Sequence, residues 1–221
     1  MQAIEQKMIA YFAHLPILNN DTPNQSKLLD AHFWYHFRRQ AILKQPDLAH
    51  DVVQVRLVSY QLGFISLGLA DEIARKQAQL ALDYFIELRS DFTVPEKSKT
   101  LLANLSKKLP LVALSNGNVD TKVLGISQYF QHIYHAGWQV DGSLLKQKPA
   151  SDMFALACKK LAIKPSELLH VGDCGRADIQ GALLAGCQAA WLSCYDVGKP
   201  VTELPHIDLK ELSLLELLLS R

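Results

Sequence analysis

The chain has 221 residues, of which 49% are apolar and 20% charged, so it is long and apolar enough to bury a core. Its 23 basic and 22 acidic residues leave a formal net charge of +1, which excludes a global field that attracts nucleic acid or an acidic membrane. No apolar run approaches the roughly 20 residues that span a bilayer, and the first residues lack a secretory signal pattern. We therefore expect a soluble, cytoplasmic protein without nucleic-acid or membrane partners.

The first ninety residues have the periodicity of α-helices. Apolar residues recur at helical spacing in four stretches, and short connections that contain proline or glycine separate them. The four stretches are Ile4 to Phe12, Leu29 to Ala41, Leu48 to Leu62, and Ala70 to Leu88. Helices joined by short connections predict a helical-bundle domain, which we assign to residues 1–94.

Beyond Pro95, short apolar runs alternate with helical patterns. The predicted strands are Leu111–Leu114, His132–His135, Leu168–Val171, Ala189–Leu192 and Ile207–Leu209. The predicted helices are Glu96–Lys108, Thr121–Tyr129, Ser151–Leu161, Asp178–Ala185 and Leu212–Leu219. Strict alternation predicts parallel strands with helices on both faces of the sheet. The predicted fold class is α/β, with a Rossmann-like core over residues 95–221 and the helical bundle as a second domain.

Polar residues follow two of the predicted strands, where open parallel sheets bind their ligands. Ser115–Asn118 follows the first strand, and Gly172–Asp173 follows the third. Asp178 comes five residues later and can hold that loop or reach a lysine, and Lys148 stands just ahead of a predicted helix. Each signal alone is typical of a turn, a helix cap or a surface lysine. Their order, each beside a strand end, predicts one binding site at this edge.

Each residue type at this edge has a use in phosphate chemistry. The Ser115 hydroxyl and the backbone N–H groups of Asn116 and Gly117 can bind phosphate oxygens. Lys148 adds a compact positive charge. The Asp173 carboxylate is a hard oxygen ligand of the kind that Mg²⁺ prefers. The pattern therefore indicates a phosphate site with a magnesium ion beside it.

These motifs resemble those of the haloacid dehalogenase superfamily of phosphatases. Leu111–Asn118 is similar to the second motif of that superfamily, and Lys148 to the lysine of the third. Gly172–Asp173, with Asp178 downstream, is similar to the fourth motif. The helical half resembles the cap domain that one subgroup inserts between the first and second motifs.

Three further segments resemble a narrower group, bacterial phosphatases that act on a ribitylaminouracil phosphate in flavin biosynthesis. The segments are His50–Val52, Pro110–Asn118 and Lys148–Met153. Related caps accept many sugar and nucleotide phosphates, so the resemblance implies a small phosphorylated metabolite as substrate without fixing which one. A monomer and a homodimer both remain open.

The resemblance also implies a mechanism and residue roles. An aspartate attacks phosphorus to form an aspartyl-phosphate, which water then hydrolyses with Mg²⁺ present. Asp173 would ligate the metal, Ser115 would bind phosphoryl oxygens, and Lys148 would offset negative charge around the nucleophile. On the helical half, Arg56 either faces a substrate phosphate or, as we favour, has a structural or solvated role.

The first motif of the superfamily, a strand that ends in Asp-x-Asp, has no counterpart in this sequence. Asn19–Thr22 has an amide where the nucleophile belongs, and Asp91–Thr93 lacks the second aspartate. We therefore expect the natural polypeptide to begin upstream of Met1 and the 221-residue chain to be inactive as written. The alternative is a catalytically dead protein that binds phosphorylated ligands.

Overall fold

The computed structural model describes residues 2–15, 27, 30–195 and 203–218. Packing divides the chain into two compact units, Met1–Phe92 with Asn118–Asp120, and Thr93–Gly117 with Thr121–Arg221. We refer to the first as the helical unit and to the second as the core unit. Within the described ranges, no helix is long and apolar enough to cross a membrane. Asn19–Thr22 and the last residue of the final predicted helix lie outside these ranges.

The described part of the helical unit folds as a bundle of α-helices packed around aromatic side chains. The helices are α1 Gln2–Ala13, α2 Ala31–Lys44, α3 Val52–Ser66 and α4 Asp71–Ser90. Phe12 lies at the centre, where its ring stacks on Trp34 at 4.3 Å and meets Tyr60 and Phe64 edge-on. Burial of large aromatic faces is the main favourable term in such a core.

The third predicted helical stretch is divided in the structure. A single 3₁₀ segment, Pro46–His50, precedes α3, and Asp51 caps the α-helix by accepting the N–H groups of Val53 and Gln54. An aspartate in extended conformation satisfies two backbone donors here and fixes the start of α3. Periodicity alone does not show this break, because the apolar stripe runs through it.

The core unit contains all five predicted strands in their predicted order, with helices between most of them. Its elements are α5 Glu96–Ser106, β1 Val112–Ser115, β2 His132–His135, β3 Gln139–Val140, β4 Ser143–Leu144, α6 Asp152–Leu161, β5 Leu169–Gly172, α7 Gly181–Leu184, β6 Gln188–Leu192, β7 Ile207–Leu209 and α8 Leu214–Leu218. β1 pairs in parallel with β2, and β6 lies between β5 and β7, also in parallel. The α/β prediction is confirmed.

Helices cover both faces of the β5–β6–β7 sheet. Because successive side chains of a strand point to opposite faces, adjacent residues of β6 enter different clusters. Ala190 packs with Leu101 and Leu105 of α5, whereas Ala189 packs with Phe154 of α6. The predicted two-sided covering of the sheet is therefore correct.

Two local predictions differ from the structure, and one feature was not predicted. Thr121–Tyr129 contains turns and a 3₁₀ segment, Ser127–Tyr129, in place of a helix, and Gly125 has a positive φ of 66° that interrupts helical geometry. The predicted helix Asp178–Ala185 begins inside a π-helical turn, Gly175–Gln180, and only α7 is α-helical. The β3–β4 hairpin was not predicted, since two-residue strands have no detectable alternation.

Candidate active site

A buried ion pair lies at the carboxyl ends of β1 and β5. Lys148 Nζ is 2.6 Å from Asp178 Oδ1, and the two side chains are 8% and 9% exposed. The same Nζ donates to the backbone oxygen of Leu114 in β1 at 2.7 Å. An ammonium group has three N–H donors, so these two contacts leave one for a ligand. The lysine thus links β1 to the loop after β5, and its third ammonium N–H remains available for a ligand.

Asp178 is held by donors on both carboxylate oxygens. His170 Nε2 lies 3.0 Å from Oδ1, and the backbone N–H of Cys174 donates to Oδ2 at 3.0 Å. Burial alone would raise the pKa of the Asp178 carboxyl, but the His170 hydrogen bond and the Lys148 charge outweigh it and hold the pKa well below its usual range. Asp178 therefore stays ionised, and it both fixes Lys148 and anchors the loop.

Gly172 is required by the close approach of Asp178. A Cβ atom built on Gly172 would overlap the Cβ and Cγ atoms of Asp178. Any side chain here would push the carboxylate away from Lys148 and Cys174. The lack of a side chain at Gly172 thus leaves the space that the Asp178 carboxylate occupies.

The Asp173 carboxylate is available to bind a ligand. In the part of the chain that the structure describes, it enters no hydrogen bond or ion pair, and the residue is half-buried. Its backbone oxygen accepts Trp191 Nε1–H at 3.1 Å, which ties the main chain to β6. The described residues offer no group of three or more His, Cys, Asp or Glu side chains that could hold a metal. A magnesium ion held by one carboxylate, phosphate oxygens and water fits this donor set.

The loop after β1 is ordered by its own polar groups. The Gly117 N–H donates to Ser115 Oγ at 3.0 Å, and His135 Nδ1 lies 2.7 Å from the Gly117 carbonyl oxygen. Asn116 clamps the Lys148 backbone, donating from Nδ2 to its oxygen at 2.8 Å and accepting its N–H at 2.7 Å. The Ser115 hydroxyl proton remains for a ligand, while the Asn116 side chain and the Gly117 N–H are used within the protein.

The structure thus brings together Ser115, Lys148, Asp173 and Asp178 at one edge of the core unit. Sequence reasoning did not single out His170, although a polar residue inside an apolar strand was an available signal. The contact of His135 with the Ser115 loop has no sequence signal, because it joins residues of neighbouring strands.

His170 predicts a pH dependence of stability. Burial lowers the pKa of the imidazole, and the Lys148 charge acts in the same direction, against the Asp178 hydrogen bond. Below a pH of about 6.5, His170 therefore binds a proton in the unfolded chain while it stays neutral in the folded chain. The contribution of His170 is complete above that pH and is lost as pH falls towards the lower folded pKa.

We expect His170→Gln, which keeps a donor towards Asp178 but does not titrate, to flatten this dependence. Urea unfolding at pH 7.5, 6.5 and 5.5 should show the wild type losing up to about 1.4 kcal/mol per pH unit relative to the variant. Parallel stability curves for the two proteins would show that His170 takes up its proton in the folded state as readily as in the unfolded one.

Comparison with known proteins gives the family. The sequence model of haloacid dehalogenase-like hydrolases matches residues 11–186. The chain belongs to this family. It is 35% identical over 180 residues to the 5-amino-6-(5-phospho-D-ribitylamino)uracil phosphatase YigB of Escherichia coli (strain K12), covering 79% of this chain and 74% of that protein. The family resemblance of the motifs is therefore confirmed, and the chain is that of a hydrolase.

Other relatives are shorter matches with different names. An N-acylneuraminate-9-phosphatase of Rattus norvegicus is 33% identical over 126 residues, 57% of this chain and 50% of that protein. A phosphoglycolate phosphatase of Escherichia coli (strain K12) is 29% identical over 140 residues, 60% of this chain and 53% of that protein. The chain thus spans about half the length of these two relatives.

The fold also recurs among solved structures. The crystal structure of a 2-haloacid dehalogenase from Pseudomonas syringae pv. Tomato DC3000 superimposes with a TM-score of 0.85 over 99% of this chain and 90% of that chain, at 22% identity. At this identity the likeness establishes the fold and leaves the reaction to the chemistry of the site.

Proposed function

We propose that this chain carries the site of a magnesium-dependent phosphatase that acts on a small phosphorylated metabolite. The observation that carries the proposal is the buried Lys148–Asp178 pair, which holds a free ammonium donor beside the Ser115 hydroxyl loop at the end of β1. A fixed cation next to a hydroxyl donor suits a phosphoryl group. The named relatives are phosphatases of small phosphomonoesters, which supports the same substrate class.

The residues present divide the work on a bound phosphomonoester. Ser115 donates its hydroxyl proton to a phosphoryl oxygen, and Lys148 offers its remaining N–H to the negative charge. Asp178 holds the Lys148 ammonium in place, while Asp173 would hold Mg²⁺. When bound, the ion neutralises phosphate charge and orients the group for attack. Among substrates, a phosphorylated ribitylaminouracil is the first to test, since YigB is named for it.

The resemblance to the family implies a nucleophile on a strand that ends in Asp-x-Asp, and the described residues contain no such strand. β1 hydrogen-bonds β2, and β5 hydrogen-bonds β6, but within the described ranges no strand joins β1 to β5. The Ser115 carbonyl oxygen accepts the N–H of Ala136, just after β2, and that of Leu168 accepts the N–H of Gln188 in β6. By alternation, the backbone groups of Leu114 and Val171 therefore face away from those neighbouring strands. All four residues of β1 are only half-buried, unlike the central positions of β6.

We propose that a strand ending in Asp-x-Asp enters between β1 and β5. Lys148 already bridges this opening, because it bonds Leu114 at the end of β1 and Asp178 beside the end of β5. A parallel strand there would satisfy the outward N–H and C=O groups of both neighbours, each worth about 1–3 kcal/mol if buried and unpaired. Its carboxyl end would place an aspartate near the free Lys148 donor.

The experiment compares two proteins by Mg²⁺-dependent phosphate release, with a generic aryl phosphate and phosphorylated ribitylaminouracil as substrates. One is the 221-residue chain, and the other adds the in-frame segment encoded upstream of Met1. We expect no turnover from the first and turnover from the second. In the longer protein, Asp173→Asn should lower the rate at least about 100-fold, since a metal contributes several kcal/mol to transition-state stabilisation. Asp208→Asn, an exposed site on β7, is the matched control.

Two outcomes would contradict the proposal. The first is turnover by the 221-residue chain above that of a Ser115→Ala, Asp173→Asn variant, which would place the nucleophile within it. The second is an upstream region that encodes no strand ending in Asp-x-Asp. Saturable binding of phosphorylated ligands by the longer protein without turnover would favour the alternative, a binding protein that has lost catalysis.

A further inference from the structure

The β3–β4 hairpin begins and ends beside residues of the candidate site. It follows His135, the last residue of β2, which is the register partner of Ser115 at the end of β1. The chain leaves the hairpin at Leu145, just ahead of the buried Lys148. Because ligands of parallel sheets bind at the carboxyl ends of the strands, the hairpin lies at the edge where the phosphoryl group is expected.

The hairpin is anchored to the rest of the core unit. Leu145 is buried, its N–H donates to the Trp138 oxygen at 2.9 Å, and its own oxygen accepts the Gly137 N–H at 2.8 Å. In the turn of the hairpin, the Asp141 carboxylate lies 3.5 Å from Lys159 Nζ on α6. These contacts fix the backbone at Trp138, so its side chain is presented from a rigid support.

Trp138 remains 48% exposed in spite of this anchoring. Its indole ring contacts the His135 ring, with a centroid separation of 4.7 Å and an angle of 40° between the planes. His135 Nδ1 lies 2.7 Å from the Gly117 oxygen, and the Gly117 N–H donates to Ser115 Oγ. A series of direct contacts within the core unit therefore joins the indole ring to the Ser115 hydroxyl.

The exposed part of the Trp138 ring has no structural use in the described part of the chain. Its Nε1–H makes no hydrogen bond with the residues that the structure describes. Tryptophan is a large apolar side chain with one polar atom, and it gains most from a partner that covers the ring. Packing on His135 alone leaves half of the residue in water, whereas a flat ligand ring would cover it.

We propose that Trp138 is the stacking surface for a planar unsaturated ring in the leaving group of the substrate, whose phosphoryl group binds at Ser115 and Lys148. A heteroaromatic ring stacks over the indole, whereas a saturated sugar has no flat π face of this kind. The inference rests on the proposed function, from which it takes the phosphoryl site. It adds the chemical class of the group that carries the phosphate.

The test compares uridine monophosphate with ribose 5-phosphate, which share a phosphorylated ribose and differ by the uracil ring. Isothermal titration calorimetry measures their dissociation constants for the 221-residue chain. Stacking of one base on an aromatic side chain contributes at least about fivefold to affinity, so uridine monophosphate should bind at least about fivefold more tightly. It should also quench tryptophan fluorescence, and ribose 5-phosphate should not.

Three variants separate stacking from other roles of Trp138. Trp138→Leu keeps an apolar side chain without a ring, so the two ligands should bind equally. Trp138→Phe keeps a smaller ring and should retain part of the preference, while the fluorescence quenching disappears. Leu109→Ala, at a residue that is 40% exposed ahead of the amino end of β1, is the control and should change neither affinity.

Several results would overturn the inference. They are equal affinities in the wild type, a preference that Trp138→Leu leaves unchanged, and an equal weakening of both ligands by Trp138→Leu. The last is expected if Trp138 only packs on His135 and orders the Ser115 loop. If Trp138→Leu fails to fold by circular dichroism, the quenching decides, because quenching that persists in Trp138→Phe does not come from Trp138.

The phosphatase assay of the longer protein fails independently of this test. A preference that depends on Trp138, without turnover by the longer protein, would support the stacking surface and contradict the proposed function. Turnover without such a preference would do the reverse. If neither ligand binds the 221-residue chain, the stacking surface is overturned together with the phosphate site on which it rests.

Discussion

Replacement of Lys148 by methionine is expected to lower the free energy of unfolding by about 3–5 kcal/mol. Methionine fills a similar volume, but it leaves the Asp178 carboxylate buried with only the His170 and Cys174 donors. The backbone oxygen of Leu114 also loses its lysine donor. Urea denaturation at pH 7, followed by circular dichroism, measures the loss as a shift of the transition midpoint at constant slope.

Two further variants identify the cause of that loss. The double variant Lys148→Met, Asp178→Asn removes the buried charge as well, so it should be more stable than the single variant. Lys159→Met breaks an exposed pair with Asp141, separated by 3.5 Å, and should cost at most about 1 kcal/mol. A double variant less stable than Lys148→Met would show that the unpaired carboxylate is not what destabilises the protein.

The stabilisation by Asp178 has a defined pH window. Its folded pKa lies below the value of about 3.9 for an unfolded aspartate, so the unfolded chain binds the proton first as pH falls. The contribution is therefore complete above pH of about 4 and is lost on further acidification. The comparison of variants at pH 7 measures it in full.

Replacement of Gly172 by alanine is expected to cost about 1–3 kcal/mol by overpacking and to disrupt the ion pair as well. The added methyl would overlap Asp178 atoms that Lys148 and Cys174 hold in place. The Asp178 side chain therefore cannot move aside to relieve the clash without losing these contacts. Thermal unfolding measures the stability loss. In the longer protein of the proposed function, the same change should reduce phosphatase activity with little change in secondary structure.

Gly142→Ala is the matched control for that substitution. Gly142, in the turn of the β3–β4 hairpin, has a positive φ of 79° but no atom within 4 Å of an added Cβ. Its replacement costs backbone strain of about 1–2 kcal/mol and leaves the Asp178 network intact. Retained activity in Gly172→Ala, with Gly142→Ala equally destabilised, would show that the carboxylate tolerates displacement.

Much of the fold could be predicted because it follows from local periodicity. His132–His135 and Ile207–Leu209 were predicted with the bounds that the structure has, since apolar runs between turn residues indicate buried parallel strands. The failure at Thr121–Tyr129 has the same origin. Apolar spacing there suits a helix, but the glycine conformation and the turn before Ser127–Tyr129 override it.

The candidate site could be predicted only as a set of residue types at strand ends. Ser115, Lys148, Asp173 and Asp178 follow from the rule that parallel strands collect ligands at their carboxyl ends. The different environments of the two aspartates do not follow from this rule. Asp173 is uncommitted and Asp178 is saturated with donors, and this difference depends on a contact with Lys148, which lies 30 residues earlier.

The sequence by itself determined the α/β fold class, the order of the five parallel strands and the family of this chain, because helical and strand periods and short motifs are local properties. Only the tertiary structure decided that Lys148 and Asp178 form a buried pair and that Gly172 makes room for it. These facts depend on burial and on side chains from distant segments, and no local pattern records either.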